Sequence, residues 1–79
     1  MPKIPIIKAK DFYSHLIRFG CKAVSIKGSH HKLLNPVTSK VSVVAIHAGK
    51  DVGRCAFSSV LSQLGIDAEE FIDFIRKTT

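Results

Sequence analysis

The run Lys27-Gly28-Ser29-His30-His31-Lys32 puts two adjacent imidazoles directly after a Gly-Ser pair, with a lysine on either side. Histidine is the side chain best suited to moving protons near neutral pH. Lysines beside it would gather a phosphate and steady the negative charge that builds during attack on it. An imidazole facing outward among those lysines could therefore serve as general base or acid at a phosphodiester, with a ribose 2′-hydroxyl as the group to be activated. An imidazole facing inward would be an ordinary strand residue.

Which of the two faces outward depends on the turn. Val24 and Ile26 alternate with Ser25 and Lys27, and a Gly-X pair between two such runs suits a two-residue type II′ hairpin turn. With Gly28 and Ser29 in the turn, Lys27 opposes His30, Ile26 opposes His31, Ser25 opposes Lys32 and Val24 opposes Leu33. Strand side chains alternate between faces. One face then carries Val24, Ile26, His31 and Leu33 against the core. The other carries Ser25, Lys27, His30 and Lys32. His30 is predicted to point outward, and His31 to be partly buried and satisfied by a hydrogen-bond partner.

The remaining elements frame this hairpin. Phe12, Tyr13, Leu16, Ile17 and Phe19 recur at helical spacing and Gly20 supplies a stop, which predicts a helix over 8–19. Asn35 to Lys40 makes a loop, and Val41 to His47 is a third strand rich in β-branched residues. If the loop keeps Leu34 near Val41, then Val44 and Ile46 join the core side. His47 is then expected outside, diagonally from His30. Ala48-Gly49-Lys50 breaks the strand, and Asp51 resembles the N-cap of a second helix with Phe57, Val60, Leu61 and Leu64 on one side. Gly65 stops it. Asp67 and Glu70 resemble a capping box that opens a third helix bearing Phe71, Ile72 and Ile75. The order α-β-β-β-α-α predicts a two-layer α+β domain over 1–79, with a three-stranded antiparallel sheet.

Composition narrows the partners. Twelve Lys and Arg against six Asp and Glu give a net charge of +6. Such an excess on a small domain favours nucleic acid or an acidic protein. Four of the six acids (Asp67, Glu69, Glu70, Asp73) lie in the last thirteen residues, so the positive field belongs to residues 1–66. Lys50 and Arg54, near the start of the second helix, could hold phosphate together with its N-terminus. The phenylalanines Phe12, Phe19, Phe57, Phe71 and Phe74 sit at helical spacing and read as core, not as a base-stacking platform. His15 lies on the first helix between core positions and is expected to be a solvated or boundary residue. Cys21 and Cys55 form no C-x-x-C pair and are expected to be reduced and partly buried. No cluster has metal-ligand spacing, so neither a metal nor another cofactor is expected. No apolar run approaches the roughly 18 residues of a membrane span. The opening Met1-Pro2-Lys3-Ile4-Pro5-Ile6-Ile7-Lys8 has neither the apolar length nor the cleavage site of a signal peptide, which predicts a cytoplasmic protein.

The Lys27-Gly28-Ser29-His30-His31-Lys32-Leu33 stretch follows a helix ending in Gly. Beyond it come a strand ending in His47 and a helix with Arg54, Ser59, Leu61, Gln63 and Gly65 in an R-x4-S-x-L-x-Q-x-G pattern. Together they resemble the HicA toxins, small mRNA interferases, over nearly the whole chain. The opening Met1 to Lys10 also fits the start of many members. The sequence departs from many members at Cys55-Ala56-Phe57, where Gly-Thr-Leu is common, and at Ala45-Ile46-His47, which lacks a frequent proline. The resemblance implies a fold related to the double-stranded RNA-binding domain. It further implies RNA cleavage dependent on the histidine of the Gly-Ser-His turn, here His30, and a HicB antitoxin that covers the active face. On this reading His30 is catalytic, and Lys27, Gly28, Ser29, Lys32, His47, Lys50 and Arg54 contact RNA. Two alternatives remain open: a non-catalytic RNA-binding module on the same fold, and a basic adaptor for an acidic protein.

Overall fold

The computed structural model describes residues 6–47 and 49–78. Met1 to Pro5 and Ala48, to which the leader and strand-break readings partly refer, lie outside the described residues. The order is the expected one: α1 (Ala9–Phe19), β1 (Lys22–Lys27), β2 (His30–Asn35), β3 (Lys40–Ala45), α2 (Arg54–Leu64) and α3 (Ala68–Thr78). The strands form one antiparallel sheet in the order β1-β2-β3. This is an α+β fold with its helices packed on one face of a meander.

The helices bury the apolar residues that their periodicity marked. Ala9, Phe12 and Leu16 are buried on α1; Phe57, Val60, Leu61 and Leu64 are buried on α2. Phe71, Ile72 and Ile75 of α3 join the same core. Phe12, Phe57 and Phe71 form its centre, with ring centroids 5.0 Å apart for Phe12–Phe57 and 5.8 Å for Phe12–Phe71 and Phe57–Phe71. Phe19 and Phe74 close the rim, half-buried. Asp67 caps α3 by accepting a hydrogen bond from the Glu70 N–H at 3.1 Å.

The hairpin turn forms as its residues require. Gly28 has φ 58, and among the described residues Ser39 alone has positive φ outside glycine, so Ser29 keeps an ordinary conformation. That combination fits a type II′ turn. Lys27 pairs with His30, Ile26 with His31, and Ser25 with Lys32, as parity demanded. Beyond Ser25 the register shifts at a bulge, and Leu33 faces Ala23 in place of the expected Val24.

Val24 and Ile26 are not core residues: they are 51% and 58% exposed. The physical reason is coverage. The helices pack over β2 and β3, so β1 hangs beyond them as an edge strand exposed along its whole length. The buried inner face belongs to Leu33, Asn35, Ser42 and Val44.

Two helix boundaries involve polar contacts from elsewhere. Asp51 does not cap α2, which begins at Arg54 after Gly53. Its backbone instead bridges Lys8, and its carboxylate lies 3.6 Å from the Lys8 ammonium. At the other end of α2, the Leu64 carbonyl accepts from Asn35 Nδ2 at 2.8 Å and from Thr38 Oγ1 at 2.7 Å. The β2–β3 loop thus satisfies a carbonyl that the helix itself leaves without a partner.

Gly65 follows with φ 70, and a Cβ placed there would come within 2.9 Å of Thr38 Cγ2. The Thr38 hydroxyl is held by Leu64, so that methyl cannot swing away freely. Gly65→Ala is therefore expected to destabilise the fold by about 1–3 kcal/mol. Urea unfolding should show this as a lower midpoint at an unchanged m-value.

Both cysteines are free, but they differ: Cys21 is buried and Cys55 exposed, so the expectation of partial burial fails for both. Burial pushes the Cys21 thiol up, which keeps it protonated and poorly nucleophilic. No helix among the described residues is long and apolar enough to cross a membrane.

Candidate functional site

The outer face of the sheet lies opposite the helices, and three cross-strand rows compose it. Nearest the turn stand Lys27, His30 and Ala45; next come Ser25, Lys32 and Val43; farthest are Lys22, Leu34 and Val41. His30 and Lys27 are directly opposed, which places their Cβ atoms about 4.5–5.5 Å apart. Lys32 stands two residues along the same strand and on the same side, about 7 Å away. His30, Lys27 and Lys32 are all exposed. A histidine with a lysine on each of two sides thus stands on a hairpin whose register is fixed by its turn.

His31 takes the other side. It is half-buried, paired with Ile26 and Val44, and its ring lies 4.8 Å from that of Tyr13. Among the described residues no hydrogen-bond partner meets the buried Nδ1 of His31, nor Nδ1 of the half-buried His15. The His31 ring packs against Tyr13. His31 is thus turned away from the face that carries Lys27 and Lys32.

The third strand ends at Ala45, so His47 lies outside it. Ile46 still extends the ladder by donating its N–H to the Ser29 carbonyl at 2.8 Å. The chain then turns, with the Lys50 N–H bonded to the His47 carbonyl at 3.1 Å and Gly49 at φ 74. His47 is exposed and lines a cavity of about 520 Å³ together with Lys8, Lys10, Asp11, Ile46, Gly49 and Lys50. Lys50 thus meets the two lysines at the start of α1. Arg54, the first residue of α2, is exposed and is not part of this lining.

Lys8 and Lys10 were not among the sequence-derived candidates. Their meeting with His47 depends on an antiparallel bridge between Lys8 and Asp51, remote in the chain. The local signal available was a K-A-K triplet at the start of a helix. Among the described residues no three His, Cys, Asp or Glu side chains converge as metal ligands.

An exposed Gly-Ser-His turn on a three-stranded meander backed by helices is the arrangement that the sequence resemblance anticipated. The family of the HicA toxin of bacterial toxin–antitoxin systems matches residues 9–66, well over half of the chain. The chain belongs to the HicA toxin family. No curated protein matches it closely enough to count as a relative. Membership assigns it the role of toxin and implies an antitoxin partner. The matched segment runs from α1 through α2 and contains the hairpin, the third strand and most of the cavity lining. Lys8 and all of α3 lie outside it.

Proposed function

We propose that this HicA-family toxin is an mRNA interferase, an endoribonuclease that cuts RNA through the 2′-hydroxyl chemistry of the strand itself. The observation that carries the reading is the exposed His30 imidazole between Lys27 and Lys32 on the open face of the sheet. His30 accepts the 2′-hydroxyl proton as the 2′-oxygen attacks phosphorus. The bond from phosphorus to the 5′-oxygen breaks, and that oxygen takes up a proton from solvent water as it leaves, while His30 later returns its own proton to solvent. The products are a 2′,3′-cyclic phosphate and a 5′-hydroxyl end. Lys27 and Lys32 hold the phosphate and offset the charge that grows on its oxygens. Gly28 and Ser29 let the backbone of the turn approach the strand closely. His47, Lys50 and Arg54 contact RNA beyond the reacting phosphate.

The same face suits an inhibitor. Val43, opposite Lys32 and one row from His30, and Val41, a row farther along, are 49% and 46% exposed on it. A HicB-type antitoxin with acidic groups and an apolar patch would cover both the valines and the catalytic histidine. The compartment we propose is the cytoplasm, where mRNA is available.

The test uses the purified chain and an unstructured labelled RNA. Fragments carrying cyclic phosphate ends are expected, in EDTA as well as without it, because the nucleophile is the strand's own hydroxyl. A DNA strand of the same sequence should stay whole. RNA that is shifted on a gel but never cut would assign the protein to RNA binding without catalysis.

A further inference from the structure

We propose that the cavity at the foot of α1 is a phosphate-binding subsite for the RNA strand, separate from the reacting position at His30. The inference rests on the reading of RNA as the ligand and adds where the strand goes next. Three lysines, Lys8, Lys10 and Lys50, line a space of about 520 Å³ with one lining carboxylate, Asp11. Asp51 faces Lys8 from outside the lining. Even with both acids counted, the five charged side chains leave a net positive site. A phosphodiester carries a single negative charge and offers acceptor oxygens to such groups.

The frame of the cavity is fixed chiefly by backbone bonds, to which the Lys8 ammonium adds one contact. The Ala9 N–H donates to the Lys50 carbonyl at 3.0 Å, and the Val52 N–H donates to the Ile7 carbonyl at 2.9 Å. The Lys8 ammonium reaches the Gly49 carbonyl at 3.4 Å. The start of α1 and the segment after β3 are thereby stitched into one ribbon, which sets where the three lysines begin. Like charges that share one cavity lining repel one another, and an anion seated among them offsets that repulsion.

The cavity also adjoins the proposed active face. Ile46 forms part of its wall, and the Ile46 N–H is bonded to the carbonyl of Ser29, the residue before His30. His47 follows on the same wall. A single strand gripped at Lys27 and Lys32 can thus continue past the end of β3 and lay a neighbouring phosphate among Lys8, Lys10 and Lys50.

The experiment uses a labelled oligouridylate and the full chain carrying His30→Ala, so that binding is read without cleavage. Adding Lys10→Ala and Lys50→Ala is expected to reduce the magnitude of the log–log salt slope by about 0.7, the share of the one phosphate that is no longer neutralised. In the chain with His30 intact, the same pair should raise KM for RNA cleavage and leave kcat in place. Lys77→Ala is the charge control. Lys77 lies beside Phe19 at the far end of α1, and its removal should change neither quantity. A salt slope and KM for the Lys10/Lys50 double variant equal to those of the Lys77 variant would overturn the subsite. Should the chain bind RNA without cutting it, and the slope still fall with Lys10 and Lys50, the subsite stands and the catalytic reading fails. Absence of RNA binding in every form would overturn both.

Discussion

Replacing His30 with alanine is expected to lower the rate of RNA cleavage by about 10²–10⁴-fold, the usual contribution of a positioned acid–base group. Growth arrest on expression should disappear with it. The fold should survive, because His30 is exposed on the outer face and makes no part of the core. Substitutions at such positions usually change stability by no more than about 0.5 kcal/mol. The informative comparison is His31→Ala. His31 lies one residue away but packs on Tyr13 with a buried Nδ1. Its truncation should lower thermal stability while each folded molecule keeps its activity. Circular dichroism and a turnover assay on both variants separate the two roles. Cleavage that persists in the His30 variant and vanishes in a folded His31 variant would invert the assignment of faces.

That assignment is legible in the sequence because a two-residue turn leaves little freedom. Once Gly28 and Ser29 are the turn, the pairs Lys27–His30, Ile26–His31 and Ser25–Lys32 follow from chain geometry, and all three are found. Legibility ended where local pattern stopped deciding. A bulge after Ala23 carries no sequence mark, so the exposure of Val24 could not be read from alternation alone. Ile26 kept its predicted side of the sheet yet stayed exposed, because the reach of the helices over an edge strand is a tertiary matter. Asp51 has the residue type of an N-cap, but the Lys8 backbone and ammonium claimed it. The same long-range bridge hid the cavity lysines. Composition revealed that the chain is basic, while only the folded arrangement brings Lys8 and Lys10 to His47 and Lys50.

Phe71→Ala is the substitution expected to damage the fold most. Phe71 is fully buried, with its ring centroid 5.8 Å from those of Phe12 and Phe57 and 5.4 Å from that of Phe19. It therefore joins α3 to α1 and α2 through one side chain. Truncating a buried phenylalanine costs about 3–5 kcal/mol, from forfeited transfer free energy and the cavity left behind. A chain of 79 residues has a total stability of only about 4–12 kcal/mol at typical values per residue. The variant should thus melt more than about 10 °C below the parent, and at the lower end of that range it should be largely unfolded at about 37 °C, because about the whole margin is gone. Phe71 also lies beyond residues 9–66, the segment that matches the family. If α3 were an appendage to a core completed by α2, truncation at Phe71 would cost little, and an unchanged melting temperature would show it. The burial of Phe71, Ile72 and Ile75 argues for the opposite: the sheet that carries His30 is held in place in part by a helix outside the matched segment.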